Sequence, residues 1–222
     1  MVKVLWTGGW DSTFRMIQLA RSGREVQPYY VIDTGRRSSL KEIKQMQAIK
    51  NCLRVKYPES KIHDINFIEL SSIAVDVKFS EAHERLKKQR FMGDQYVWIA
   101  ALANGVDNLE LCIHSDDKAE FFNQDAAMGA DQELIFGNLN FPILAYTKLD
   151  MEEEAKQNGE LDILNMSWFC FDPIGDTSCG TCNPCLYSLQ EGMSRRFSLR
   201  AKVYSKMPRV VRGTRRMLRK II

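Results

Sequence analysis

Long apolar runs are missing from this chain: no stretch of its 222 residues approaches the ~18 apolar residues that a membrane span needs. The opening, Met1 to Leu5, is too short to be the apolar core of a signal peptide. Internal repeats and low-complexity linkers are missing too. Hydrophobic residues make up 45% and charged residues 27%, ordinary globular values that exclude a wholly disordered chain. Histidine is scarce, and His63, His83 and His114 are scattered, with no serine–histidine signature. Chemistry that works by positioning and charge neutralisation needs no such signature, so its absence does not count against an enzyme. His114 alone stands in company that suits a site, beside Ser115, Asp116 and Asp117 at the end of an expected strand. The expectation is a soluble, cytoplasmic protein of one large domain or two small ones, at roughly 100–200 residues per domain.

Acid is missing from one end. The 28 residues from Arg195 onward contain 11 Lys or Arg and no Asp or Glu, whereas the first 194 carry 20 basic and 28 acidic groups, a net −8. This is an acidic body with a basic tail. Arg195, Arg196, Arg200 and Lys202 suit one helix face; beyond them, six basic residues from Arg209 to Lys220 are interleaved with Val210, Val211, Met217, Leu218, Ile221 and Ile222. Nucleic acid, an anionic surface and the chain's own acidic body are the three partners such a tail suits.

The hydrophobic pattern alternates between strand and helix. Val2 to Trp6 reads as a first strand, followed by Gly8-Gly9 and a helix from about Asp11 to Ser22 with Phe14, Ile17 and Ala20 as its buried stripe. Tyr29 to Ile32 ends at the polar turn Asp33-Thr34-Gly35. A helix over about Leu40 to Val55 places Leu40, Ile43, Met46, Ile49 and Leu53 on one face. A third strand is expected near Ile65 to Leu70, helix over Glu81 to Asn104 with a break at Gly93, and a fourth strand over Leu109 to Ile113. Ala119 to Met128 reads as helix, and Phe141 to Leu144 as a short strand or loop. Thr147 is placed to cap a helix from Lys148 to Asn158, with Asp150 at N3 and Gly159 as the stop. This order predicts an α/β fold: a Rossmann-like parallel sheet of about five strands with helices on both faces. Ligands of such sheets bind beyond the carboxyl ends of the strands, where the turns Thr7 to Thr13 and Asp33 to Arg37 fall.

The first of these turns reads Thr7-Gly8-Gly9-Trp10-Asp11-Ser12-Thr13. Two glycines let backbone approach a ligand, and hydroxyls join the first-turn N–H groups of the helix, which makes an anion site. No Gly-Lys-Ser/Thr follows and no Gly-x-Gly-x-x-Gly is present, which excludes the P-loop and the dinucleotide fingerprint. Asp11 would repel a bare phosphate, so it caps the helix, holds Mg²⁺, or both.

Six cysteines in a cytoplasmic chain do not read as a disulfide framework. Cys52 and Cys112 lie in apolar segments and read as core. Cys170, Cys179, Cys182 and Cys185 cluster as Cys-x8-Cys-x2-Cys-x2-Cys. Four thiolates suit a closed, structural Zn²⁺ site, and Gly180, Asn183 and Pro184 suit the tight turns it needs. An iron–sulfur cluster and a redox pair remain the rivals. On this reading the chain divides into an α/β domain over 1–164, a zinc-binding segment over 165–194 and the tail over 195–222.

The turn Thr7 to Ser12 resembles the Ser-Gly-Gly-x-Asp-Ser signature of the PP-loop ATP pyrophosphatases, with Thr in place of the first Ser. Within that superfamily the cysteine spacing resembles that of the 7-cyano-7-deazaguanine synthases of the queuosine pathway. Three further segments follow that family's order: Pro142-Ile143-Leu144, Thr147-Lys148-Leu149-Asp150 and Met166-Ser167-Trp168-Phe169-Cys170. Asp33-Thr34-Gly35-Arg36-Arg37 is similar to its Asp-Tyr-Gly-Gln-Arg turn, and the resemblance covers about Val2 to Met193.

The resemblance implies an AMP-forming, Mg²⁺–ATP-dependent C–N ligase that activates a carboxylate for attack by ammonia, and a homodimer. Carried over residue by residue, Thr7, Gly8, Gly9, Asp11, Ser12 and Thr13 would hold phosphates and Mg²⁺. Asp33, Gly35 and Arg36 would lie near the adenosine, and Lys148 would steady the departing pyrophosphate. Asp11, Ser12 and Lys148 are then the catalytic candidates. The middle of the chain departs from the family: no Pro-x-Arg-Asn turn precedes the central helix, and His114 to Phe121 replaces a Tyr-Pro-Asp-Cys-Arg-like loop. Arg90, Gln95 and Asp117 are the substrate-side candidates there. Two alternatives stay open: a PP-loop enzyme that thiolates tRNA, and a degenerate member that binds nucleotide or a partner without turnover.

Overall fold

The computed structural model describes residues 1–89, 91–115 and 129–207. Alternation along the first two strands decides the layers. In β1 (Val2–Leu5), Val4 points into one apolar cluster and Leu5 into another. In β2 (Glu25–Ile32), Val26 and Tyr30 join Val4, while Tyr29 and Val31 join Leu5. A strand apolar on both faces must be covered on both.

The covering helices divide accordingly. On the Val4 side lie α1 (Trp10–Arg21), α2 (Ser39–Lys56), α6 (Lys148–Gln157) and α7 (Leu161–Asn165). On the Leu5 side lie α3 (Val77–Gln89), α4 (Gln95–Gly105) and α5 (Ala130–Phe136). The short strands β3 (Lys61–Ile62), β4 (Asn66–Glu69), β5 (Leu109–Glu110) and β6 (Leu139–Asn140) complete the sheet. Its order is β3-β2-β1-β5-β6, and every pairing is parallel. β4 continues along the same strand, pairing Tyr29–Ile32 of β2 where β3 pairs Glu25 and Val26. The expected α/β architecture is therefore present.

Chain order reverses at β1, so a crevice opens past its carboxyl end. A partly buried ion pair fixes that region. Arg15 of α1 donates from Nε and Nη2 to the two oxygens of Glu110 of β5, both at 2.8 Å. The bidentate pair clamps the helix that starts at the crevice to the strand beyond it.

Several boundaries differ from the sequence reading. Leu40 is 83% exposed, whereas Met46, Ile49 and Leu53 are fully buried, because the apolar face of α2 begins a turn later. The break expected at Gly93 is real and separates α3 from α4. The last strand is Leu139–Asn140, before the Phe141–Leu144 segment. Cys52 and Cys112 are only partly buried, packed against the α1 side of the core. The cap of α6 matches closely: Thr147 Oγ1 accepts the Asp150 N–H at 3.1 Å, and the Asp150 carboxylate accepts the Thr147 N–H at 2.8 Å. The expected helix over Ala119 to Met128 lies outside the described residues, as does the tail beyond Met207.

Candidate functional site

The turn after β1 is built for close approach. Gly8 has φ +70°, a left-handed conformation, and a Cβ there would sit 2.9 Å from Met46 Cγ. Its carbonyl accepts the Trp168 N–H at 2.7 Å, which ties the turn to the segment leading into the cysteines. Gly9 precedes α1, which has no side-chain cap, so its first-turn N–H groups are left for a ligand. The Thr7 and Ser12 hydroxyls lie 3.2 Å apart, and Ser12 Oγ also accepts the Thr7 N–H at 3.3 Å. Thr13 turns inward instead. It is fully buried and its hydroxyl accepts the Trp6 indole N–H at 3.2 Å.

A cleft of about 310 Å³ opens over this turn. Thr7, Gly9, Trp10 and Asp11 form its floor, and Asp33 and Arg36 from the turn after β2 form one side. Arg36 pairs with Asp33 at 3.3 Å and stacks 4.5 Å from the Phe171 ring centroid. The Gly35 N–H donates to Asp33 Oδ1 at 2.9 Å, closing that turn. Gln95, at the start of α4, lines the cleft too. Arg90 and Asp117 lie outside the described residues.

The opposite side holds a charged cluster that the linear sequence disperses. Lys148, the first residue of α6, lies 2.5 Å from Glu191 Oε2. The other oxygen of Glu191 is 3.6 Å from His114 Nε2, which is 3.9 Å from Asp11 Oδ1. Those distances are ionic rather than hydrogen-bonding, and among the described residues both ring nitrogens of buried His114 have no hydrogen-bond partner. Burial opposes the charged ring, but Glu191 and Asp11 together raise its pKa. Burial likewise pushes Glu191 up, yet His114 and Lys148 outweigh it and hold the carboxylate below its ordinary range. Among the described residues, Asp11 Oδ1 and Trp10 Nε1 are also buried without a hydrogen-bond partner.

The four cysteines meet beside this cleft. Cys170, Cys179, Cys182 and Cys185 are all buried, with ligand atoms within 4.8 Å of one another. The Cys182–Cys185, Cys182–Cys170 and Cys179–Cys185 sulfur separations are 3.3, 3.9 and 3.9 Å. Sulfurs at ~2.3 Å from a tetrahedral centre would lie about 3.8 Å apart, so the cluster could hold a zinc ion. Sulfhydryl donation from Cys170, Cys182 and Cys185 holds Cys179 far below the ordinary thiol range, and Thr181 adds to it. The backbone N–H groups of Thr181 and Cys182, each 3.3 Å from Cys179 Sγ, favour the same charge. Helix α8 (Asn183–Gln190) leaves the cluster and delivers Glu191 to the cleft. A short 3₁₀ turn, Ser194–Arg196, brings Arg196 to it as well. Helix α9 (Leu199–Ser205) then packs back on the cysteines through Ala201, joined by Phe197.

Glu191, Arg196 and Trp10 were not singled out from the sequence. Glu191 follows a polar helix end, and in the sequence Arg196 falls with Arg195, Arg200 and Lys202 on one expected helix face. The 3₁₀ turn breaks that face and sends Arg196 inward. His114 carries a signal, namely polar neighbours just past an expected strand, although β5 ends earlier than expected, at Glu110 rather than Ile113.

No family model matches the chain, and no curated protein matches it. Among solved structures, it is similar to a predicted subunit of a tRNA methyltransferase from Methanocaldococcus jannaschii, at 14% identity over 89% of this chain and 91% of that chain, with a TM-score of 0.41. At that level the likeness assigns neither family nor activity.

Proposed function

We propose that this chain is a PP-loop-type, AMP-forming enzyme that uses Mg²⁺–ATP to activate a carboxylate for attack by ammonia, with a structural zinc ion on its four cysteines. The observation that carries the reading is the turn at the strand-order reversal. It combines the left-handed Gly8, two paired hydroxyls, an uncapped helix start and a buried Asp11 oxygen that, among the described residues, accepts no hydrogen bond. A lone carboxylate oxygen among phosphate-directed donors is the donor chemistry that suits Mg²⁺. When bound there, Mg²⁺ would neutralise charge on the phosphates.

The roles of the chain's own residues follow. The first-turn N–H groups of α1 and the Thr7 and Ser12 hydroxyls orient the phosphates, and Asp11 holds the metal. Asp33, Gly35 and Arg36 shape the adenosine side. A carboxylate oxygen of the acceptor attacks the α-phosphorus, and the bond to pyrophosphate breaks. Lys148, held by Glu191, faces the charge that develops on the leaving group. Ammonia then displaces AMP from the acyl carbon and loses a proton, giving the amide. The acceptor we propose first is 7-carboxy-7-deazaguanine, whose amide would be activated a second time to give the nitrile.

Product analysis tests this. Protein, Mg²⁺–ATP, ammonia and 7-carboxy-7-deazaguanine are incubated, AMP is assayed, and the amide and nitrile are sought by mass. AMP rising with the nitrile supports the reading down to the acceptor. Nucleotide binding without product removes that acceptor and leaves the nucleotide site. Native mass spectrometry tests the metal separately: one zinc per chain is expected. Iron with labile sulfide would favour a thiolating enzyme instead.

A further inference from the structure

Arg196 lies between the ring faces of Trp10 and Phe169, with its guanidinium carbon 4.7 and 4.9 Å from their centroids. Its Nη2 donates to the Ser167 carbonyl at 2.5 Å, the Ser167 hydroxyl at 2.9 Å and the Asn165 carbonyl at 3.5 Å. Among the described residues, no hydrogen bond leaves its Nε or Nη1 and no carboxylate lies within ion-pair distance, although Asp11 and Glu152 attract its charge from further off. A half-buried cation with no carboxylate in contact is costly, and Arg195 beside it adds repulsion that distant Asp11 and Glu152 only partly offset. Burial first, and then Arg195, pull its pKa down to about 10, so it stays charged at neutral pH.

The unused edge has a direction. Arg196 lines the cleft over the Gly8–Gly9 turn and also a second cleft behind Trp168 and Phe169, whose wall includes Asn165 and Ser167. Nη2 is anchored on residues of the second cleft, and Nε and Nη1, on a residue that also lines the first, have no protein acceptor among the described residues. Trp10, whose Nε1 has no hydrogen-bond partner among the described residues, lines the first cleft too, beside the uncapped N-terminus of α1. These donors outnumber the two oxygens of a carboxylate, and with Asp11 present the anion must arrive with a cation. A Mg²⁺-bound polyphosphate meets both conditions.

We infer that Arg196 is the residue that receives the pyrophosphate end of the nucleotide, making the segment that follows the cysteines a wall of the phosphate site. The inference rests on the nucleotide reading above and adds a prediction of its own: Arg196 discriminates ATP and pyrophosphate from AMP. A merely structural arginine, pinning Ser167 and Asn165, would not produce that discrimination.

Calorimetric titration with Mg²⁺–pyrophosphate, Mg²⁺–ATP and AMP tests it on wild-type protein, Arg196→Met and Arg196→Lys. Arg196→Met is expected to weaken pyrophosphate and ATP at least tenfold while AMP stays within twofold, and Arg196→Lys is expected to recover part of the loss. Equal losses for pyrophosphate and AMP, or none in a protein whose wild type binds both, would overturn the inference and leave the nucleotide reading standing. Wild type that binds neither ligand overturns both. If Arg196→Met does not fold, the wild-type protein is treated with an arginine-specific dicarbonyl and mapped by mass spectrometry. Pyrophosphate should protect Arg196 and AMP should not; protection by neither, or equally by both, overturns the inference.

Discussion

The Lys148 ammonium and the Glu191 carboxylate meet at 2.5 Å, although 43 residues separate them in the chain. One comes from the capped start of α6 and the other from the end of α8 beyond the cysteines. Replacing Lys148 with Met should slow AMP formation by about 10²-fold, the usual size of a lost transition-state charge partner. Glu191→Gln should slow it less and raise KM for ATP, because the lysine remains but is no longer held. Steady-state kinetics separates the two, and a Lys148→Met rate within twofold of wild type would remove the lysine from the chemistry.

Acid should weaken the α1–α6 junction. Burial pushes Glu154 up, but Arg21, Gln18 and Tyr146 outweigh it and hold its pKa below the ordinary value. A folded pKa that is depressed contributes stability present above the unfolded pKa, about 4.3, and lost as pH falls through the lower folded value. Glu154→Gln should therefore be less stable at pH 7 and lose less on acidification. Urea midpoints from pH 7 to pH 3 check the sign; parallel curves would refute it.

Gly180 has φ +75°, and a Cβ there would lie 2.1 Å from the Ala201 carbonyl oxygen of α9. Gly180→Ala combines about 1–3 kcal/mol of backbone strain with a clash against main chain, so a loss of more than ~3 kcal/mol is expected. Gly23 is the control, with φ +65° and nothing within 4 Å of a Cβ. Gly23→Ala should cost only the conformational part, about 1–2 kcal/mol. Comparable losses in chemical denaturation would mean that the approach of α9 is not what fixes glycine at 180.

The Arg15–Glu110 clamp should be strongly coupled. Arg15→Met leaves Glu110 buried and alone, a change that costs about 3–5 kcal/mol, whereas the double variant with Glu110→Met should recover much of it. A double-mutant cycle with purely additive losses would exclude the coupling.

The sequence by itself determined what depends on near neighbours. The apolar run of β1 and the reciprocal cap between Thr147 and Asp150 were legible because each involves residues a few positions apart, whereas β2 was legible only from Tyr29, its first half, Glu25 to Pro28, being more polar. So was the cysteine cluster, whose short spacings force three sulfurs toward one point. The helix face starting at Leu40 failed because a periodic pattern does not say where its cover ends. Only the tertiary structure joined Asp11, His114, Lys148 and Glu191, which come from four separate segments, and only it brought Arg196 to the cleft. The reason is physical: strand order and the fold-back of the cysteine segment on the Gly8 turn are long-range packing outcomes. A charged side chain carries no periodicity to announce which distant backbone it will meet.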